Sequence, residues 1–182
     1  MKAKHTESLS SESILIAEFN YAMQTASQSN EDRVKIFQFV VANTLTVAAT
    51  VVFSSVTQGT QNFLIGFVFM FFVVLGLLSL FQLSRLRLAW IESVKAMNRI
   101  KDYYIENNKD LESAFVWRTS TIPKADKELS LAYLLALTLI FVNAVSVSLA
   151  FQLFFGSTLV ALTFGVVSFV LQLGGWNRIL KK

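Results

Sequence analysis

The sequence predicts an all-α fold: a polytopic membrane protein with four transmembrane helices, N-in/C-in, plus cytoplasmic helical extensions. Three observations predict it. Apolar residues make up 54% of the 182-residue chain and charged residues only 15%, whereas ordinary globular chains carry roughly 25% charge. Residues 36–84 and 129–177 contain no charged side chain, so all 16 Lys and Arg and all 12 Asp and Glu lie outside these two blocks. The basic residues then fall four, nine and three to segments 1–35, 85–128 and 178–182. Four spans place those three segments on one face, which the positive-inside rule makes the cytoplasm.

A spanning helix needs roughly 20 apolar residues, so each block holds a hairpin. The first, 36–83, reads as spans 36–56 and 63–83 around Thr57-Gln58-Gly59-Thr60-Gln61-Asn62. The second, 129–176, reads as spans 129–151 and 159–176 around Gly156-Ser157-Thr158. Glycine and small polar residues mark both turns. A water-soluble helix keeps a polar face, and the run from Phe63 to Val74 has none. Tyr133 and Trp176 fall near the inner interface, where amphipathic rings are favoured.

The cytoplasmic segments are helical too. In 1–35, Leu15, Phe19, Met23 and Ala26 recur at helical spacing and give an amphipathic helix over 11–28, with Ser11 or Ser13 as its cap. Ser29-Asn30-Glu31-Asp32 has the form of a capping box and predicts a second helix start. The polar face carries Glu12 and Glu18 and no basic residue. Membrane-surface helices are basic there, so the stripe is expected to pack on protein. Segment 84–128 is a helical stalk and connector. Leu86, Trp90, Val94, Met97, Ile100 or Lys101, and Tyr104 step by three or four, and no Gly or Pro separates them from the second span. One helix from Phe63 to about Asn107 is expected, then a short helix from Asp110 to about Trp117. Pro123 suits the first turn of the helix that becomes span three. Residues 177–182 form a basic tail. The opening Met-Lys-Ala-Lys-His lacks the apolar stretch of a signal peptide.

The chemistry is narrow. There is no Cys, one His (His5, in the tail) and one Pro, which excludes a disulfide scaffold and a Cys-based metal site. No Walker loop, GxSxG or helical His pair occurs. No catalytic residue, cofactor or metal ligand is expected. The carboxylates of Glu92, Asp102 and Glu106 alternate with basic residues as a solvated or intersubunit face would. Pumps, proton-coupled carriers and voltage sensors need ionisable groups within the bilayer, and the spans offer none. The net charge of +4 is concentrated at span ends, where it orients the chain and meets lipid phosphates. No direct nucleic-acid partner is expected.

Uncharged polar residues within the spans are the remaining candidates. Gln38, Asn43, Thr46, Thr50, Asn143 and Ser148 serve either helix packing or the lining of an oligomeric pore. Small residues at spacing four (Ala42, Thr46, Thr50; Ala132, Ala136; Ala144, Ser148) let helices approach closely. On the cytoplasmic side, Arg85, Arg87, Trp90, Lys95, Arg99, Lys101 and Tyr104 are the interaction candidates.

The run Arg87-Leu88-Ala89-Trp90-Ile91-Glu92-Ser93-Val94-Lys95-Ala96-Met97-Asn98-Arg99-Ile100-Lys101-Asp102-Tyr103-Tyr104 leaves a tight membrane hairpin as a long helix. Over residues 11–108 this layout resembles the SLATT group of two-span bacterial effectors. The second hairpin is an addition to that layout. The resemblance implies a bacterial inner-membrane location, a homo-oligomer, a cytoplasmic protein or nucleotide-signal partner, and a role in altering membrane integrity in antiphage defence. Two other functions remain open: a structural or accessory subunit of a larger membrane complex, and a membrane enzyme or lipid-handling protein using the inner carboxylates. The topology has a direct test. A fluorescent protein fused after Lys182 is expected to fluoresce inside the cell, and a periplasmic reporter at the same site to be inactive.

Overall fold

The computed structural model describes residues 11–56 and 61–181, with the backbone alone at 53–56 and 61. Four helices carry the fold: α1, Ser11–Val56; α2, Gln61–Asn107; α3, Leu131–Phe155; and α4, Thr158–Leu180. No strand occurs among the described residues. All four helices are long and apolar enough to cross a bilayer, which fits a multi-pass membrane protein. Two compact units form. Unit 1 is Met1–Asn30 with Ala89–Pro123, and unit 2 is Glu31–Leu88 with Lys124–Lys182. The turn at 57–60, His5, Lys182 and everything before Ser11 lie outside the described residues, whereas Ser11 and Ser13, expected as the cap of the first helix, lie within α1.

Helix α1 contains neither Gly nor Pro and does not break at the expected second start. The hydroxyl of Ser29 donates to the Thr25 carbonyl at 2.9 Å instead of capping a new turn, and Ser29 is buried. In unit 1 the covered face of α1 is Leu15, Phe19, Ala22, Ala26 and Ser29. Met23, expected on that face, is exposed. The difference is one of period: the covered positions alternate steps of four and three, the 3.5-residue repeat of a supercoiling seam, and Ala22 keeps that repeat where Met23 does not.

Helix α2 runs unbroken from the second span to Asn107, as its sequence leads one to expect. Asn107 Nδ2 donates to the Tyr103 carbonyl at 2.8 Å. The Asn108 side chain then accepts from the Asp110 amide and opens a 3-10 turn, Lys109–Ala114. The expected helix to Trp117 is thus shorter and tighter, and Val116 and Trp117 are exposed. Arg118 and Glu112 form an ion pair at 3.1 Å, and Thr119 Oγ1 donates to Asp102 at 2.6 Å. These contacts tie the connector to the end of α2 within unit 1.

Pro123 does not open α3. The helix starts at Leu131, where the Ser130 hydroxyl accepts from the Tyr133 amide as an N-cap does. The residues before it are held differently: Arg87 donates from Nε to the Ala125 carbonyl at 3.4 Å and from Nη2 to the Lys124 carbonyl at 3.3 Å. Leu129, with φ 58°, turns the backbone sharply into the helix. At the other end, Gly156 adopts the left-handed conformation at φ 67°, and its amide donates to the Gln152 carbonyl. Ser157 caps α4 at once. Span three therefore runs to Phe155 rather than 151, because the helix stops where a residue that tolerates positive φ allows it.

Unit 2 holds two apolar clusters, the first drawn from all four helices and the second from α1, α2 and α3. One joins Ile36 and Val40 of α1, Leu80 and Leu83 of α2, Leu135, Ala136, Leu139 and Ile140 of α3, and Trp176 and Leu180 of α4. The other joins Val47, Ile65, Phe69 and Ala150. Residue numbers rise along α1 as they fall along α2, so the two are antiparallel. Arg33, Ile36, Val40, Asn43 and Val47 are buried on α1, and Gly66, Phe69, Val73, Gly76, Leu80, Leu83 and Arg87 on α2. Both series keep the same alternation of three and four. Trp176 is a core residue, facing the bundle and not the surrounding lipid. The small stripe of α3 is buried at Ala132, Ala136 and Ala144, as close packing requires, whereas Ala42 and Thr46 of α1 are exposed.

The register in unit 1 is testable. Ala22→Gln, at a buried seam position, is expected to cost roughly 1–3 kcal/mol through overpacking and an unpaired amide. Met23→Gln is expected to change stability by less than about 0.5 kcal/mol. Thermal unfolding of the detergent-solubilised protein reads both.

Candidate functional site: an amide layer between two apolar clusters

Between the two clusters of unit 2 lies a polar layer. Asn143 on α3 is 1% exposed, and its Nδ2 donates to Gln172 Oε1 on α4 at 2.8 Å. Gln172 Nε2 donates onward to Ser168 Oγ at 2.8 Å. The other Asn143 atom, Oδ1, is buried with no protein partner. It faces Gly76 of α2, where a Cβ would collide with the amide. Only glycine leaves room for that amide against the helix. Further along the same helix pair, Gly165 of α4 plays the same part for Ser148 of α3, whose hydroxyl occupies the space a Cβ would take.

Asn43 of α1 belongs to the same layer by register. Asn43 falls between Val40 of the first cluster and Val47 of the second, as Gly76 falls between Leu80 and Phe69 on α2. It is 5% exposed, and neither Nδ2 nor Oδ1 has a hydrogen-bond partner. An unpaired buried amide costs about 1–3 kcal/mol by mutational measure. A leucine-like residue would fit the helix seam without that cost.

The six membrane candidates therefore do not share one surface. Asn43 and Asn143 are buried, Ser148 and Thr50 are half-buried, and Gln38 and Thr46 are exposed. Thr46 Oγ1 donates to the Ala42 carbonyl at 2.9 Å and Thr50 Oγ1 to the Thr46 carbonyl at 2.8 Å. Those hydroxyls are satisfied within their own helix, so lipid contact leaves no polar hydrogen unpaired. Gln172 and Gly76, which complete the layer, are the residues that sequence reasoning passed over as members of a site. A glycine in an otherwise bulky span was the available signal.

The cytoplasmic candidates divide as well. In unit 1, Lys101 and Tyr104 line an apolar groove of about 230 Å³ with Leu15, Ile16, Phe19 and Phe115. Trp90 is half-buried, and Lys95 and Arg99 are exposed. In unit 2, Arg85 is exposed but Arg87 is buried, which makes it a holder of the 124–125 backbone and not a surface contact. Arg33 lies close enough for the Arg87 charge to act on it. Burial draws both guanidinium groups below their ordinary range, and for Arg33 the Arg87 charge adds to the effect. Among the described residues no three His, Cys, Asp or Glu side chains gather to hold a metal ion.

The layer predicts non-additive substitutions. Asn143→Leu and Gln172→Leu each strand a partner, so the double variant is expected to be more stable than the sum of the single losses by about 1 kcal/mol. Gly76→Ala is expected to destabilise by roughly 1–3 kcal/mol, with Asn143→Ala restoring most of the loss. Unfolding in detergent with the four variants side by side checks both statements. Compared with known proteins, the chain matches no protein-family model, no curated protein and no solved structure.

Proposed function

We propose that the protein is a non-enzymatic, homo-oligomeric inner-membrane protein of a bacterium, with both termini cytoplasmic. Its unit 1 receives a cytoplasmic protein or nucleotide signal, and its spans respond by altering membrane integrity. One observation supports this reading above the others: the bundle is divided at its middle by amides that its own side chains satisfy only in part, with Asn43 wholly unpaired and Asn143 Oδ1 left over. A charge-free bundle built only to stay closed gains nothing from Asn43 at a seam position. Water or a second subunit's polar groups would satisfy it, so rearrangement recovers the hydrogen bonds that the closed state lacks. The exposed Ala42–Thr46 face of α1 is narrow enough to admit a neighbouring helix. The groove beside Lys101 and Tyr104 offers unit 1 an apolar recess for a partner's side chain.

The alternative is a structural or accessory subunit of a larger membrane complex. It predicts copurification with a different membrane protein and no self-assembled ring. Dye release from liposomes separates the two. The wild-type protein is expected to release dye, at least once its genomic-neighbour partner is added. Asn43→Leu is expected to fold more stably and to reduce release several-fold. Absence of release under every condition, together with an Asn43→Leu variant that acts like wild type in cells, would overturn the effector reading.

A further inference from the structure

Unit 2 buries two cations side by side. Arg33 is 8% exposed and Arg87 is 5% exposed. Both occupy seam positions of α1 and α2, and they lie close enough for the Arg87 charge to act on Arg33. Each lies three residues from the edge of the charge-free block 36–84, which is the depth of lipid headgroups when that block fills the hydrocarbon. Arg87 spends its Nε and Nη2 on the carbonyls of Ala125 and Lys124. Arg33 Nε and Nη2 are buried and have no protein partner. The nearby Asp32 carboxylate is committed to Lys35 at 2.7 Å. The influences on Arg33 are its burial and the Arg87 charge, with no carboxylate among them.

Guanidinium groups keep their proton in proteins. Two of them buried near one another repel and lose hydration, and Arg33 Nε and Nη2 gain no protein hydrogen bond in return. Buried charge persists in native folds when an opposite charge or a ligand meets it. The unspent Nε and Nη2 are the two parallel donors that engage a tetrahedral oxyanion in a fork. Lipid contact by snorkelling does not describe this pair, because a snorkelling arginine turns its head out to the interface, whereas Arg33 Nε and Nη2 are buried and Arg87 is spent on the 124–125 backbone.

We infer that Arg33 and Arg87 form a phosphate-binding site between α1 and α2, with Arg33 supplying the free donors and Arg87 the second charge. A phospholipid headgroup and a soluble phosphate share this chemistry. The inference stands apart from the proposed function, since a packing subunit could hold the same phosphate.

The test is thermal unfolding of the full chain in an uncharged, phosphate-free detergent, titrated separately with inorganic phosphate and with a short-chain phosphatidylglycerol. The wild-type midpoint is expected to rise by several degrees, as selective binding to the folded state requires. Arg33→Leu is expected to match or exceed the wild-type midpoint without phosphate, because it removes a repulsion and breaks no protein hydrogen bond. It is also expected to lose the phosphate response. Arg33→Lys, which keeps charge but not the fork, should respond weakly. A response to the lipid alone assigns the site to a headgroup, and a response to both assigns it to phosphate in general. The inference fails if neither compound shifts the wild type, or if Arg33→Leu shifts equally. It also fails if Arg33→Leu lowers the ligand-free midpoint, or if the midpoint follows protein concentration and not phosphate, which would assign the counter-charge to a second chain.

Discussion

Hydrocarbon supplies no hydrogen-bond partner, and that constraint shapes every part of unit 2. It demands helices, because only an intrasegment ladder satisfies each backbone N–H and C=O without water. It explains why threonines are tolerated on exposed faces: Thr46, Thr138 and Thr163 all donate to carbonyls four residues back. It also makes the exceptions informative. Asn43 and Asn143 are polar at positions where an aliphatic side chain would pack, and only Asn143 has found part of what it needs.

Polar side chains at seam positions divide the bundle into levels. Arg33 and Arg87 mark one end, the apolar cluster around Leu83 and Leu139 follows, then the amide layer, and then the cluster around Phe69 and Ala150. A polar residue in a helical seam fixes register, since any shift would bury it against the wrong neighbour. Gly76 belongs to the same device. It gives Asn143 a place that no other residue of α2 could give.

Much of this was legible in the sequence, for identifiable reasons. Two charge-free blocks are a strong signal, so the four apolar helices and the unbroken α2 followed directly from them. The buried stripe of α3 was visible because alanine and serine recur along it. The seam of α1 was not visible, because Ser29, Arg33 and Asn43 sit on it and polar residues do not register as a hydrophobic repeat. Met23 looked like core because it is large and apolar, but Ala22 keeps the 3.5-residue period. Pro123 was a plausible helix start, yet Ser130 offers the hydroxyl that α3 uses, and the intervening carbonyls are claimed by Arg87. The amide layer needed three dimensions: Asn143 and Gln172 are 29 residues apart in the chain.

The link between α3 and α4 has a mechanical meaning. Gly156 and Ser157 alone join them, so at that edge the two rods are pinned as the arms of tweezers are. They can splay only at the opposite edge, pivoting on the bend and opening widest near Trp176 and Leu180. Whatever motion this half of the bundle performs is set by that fixed fulcrum.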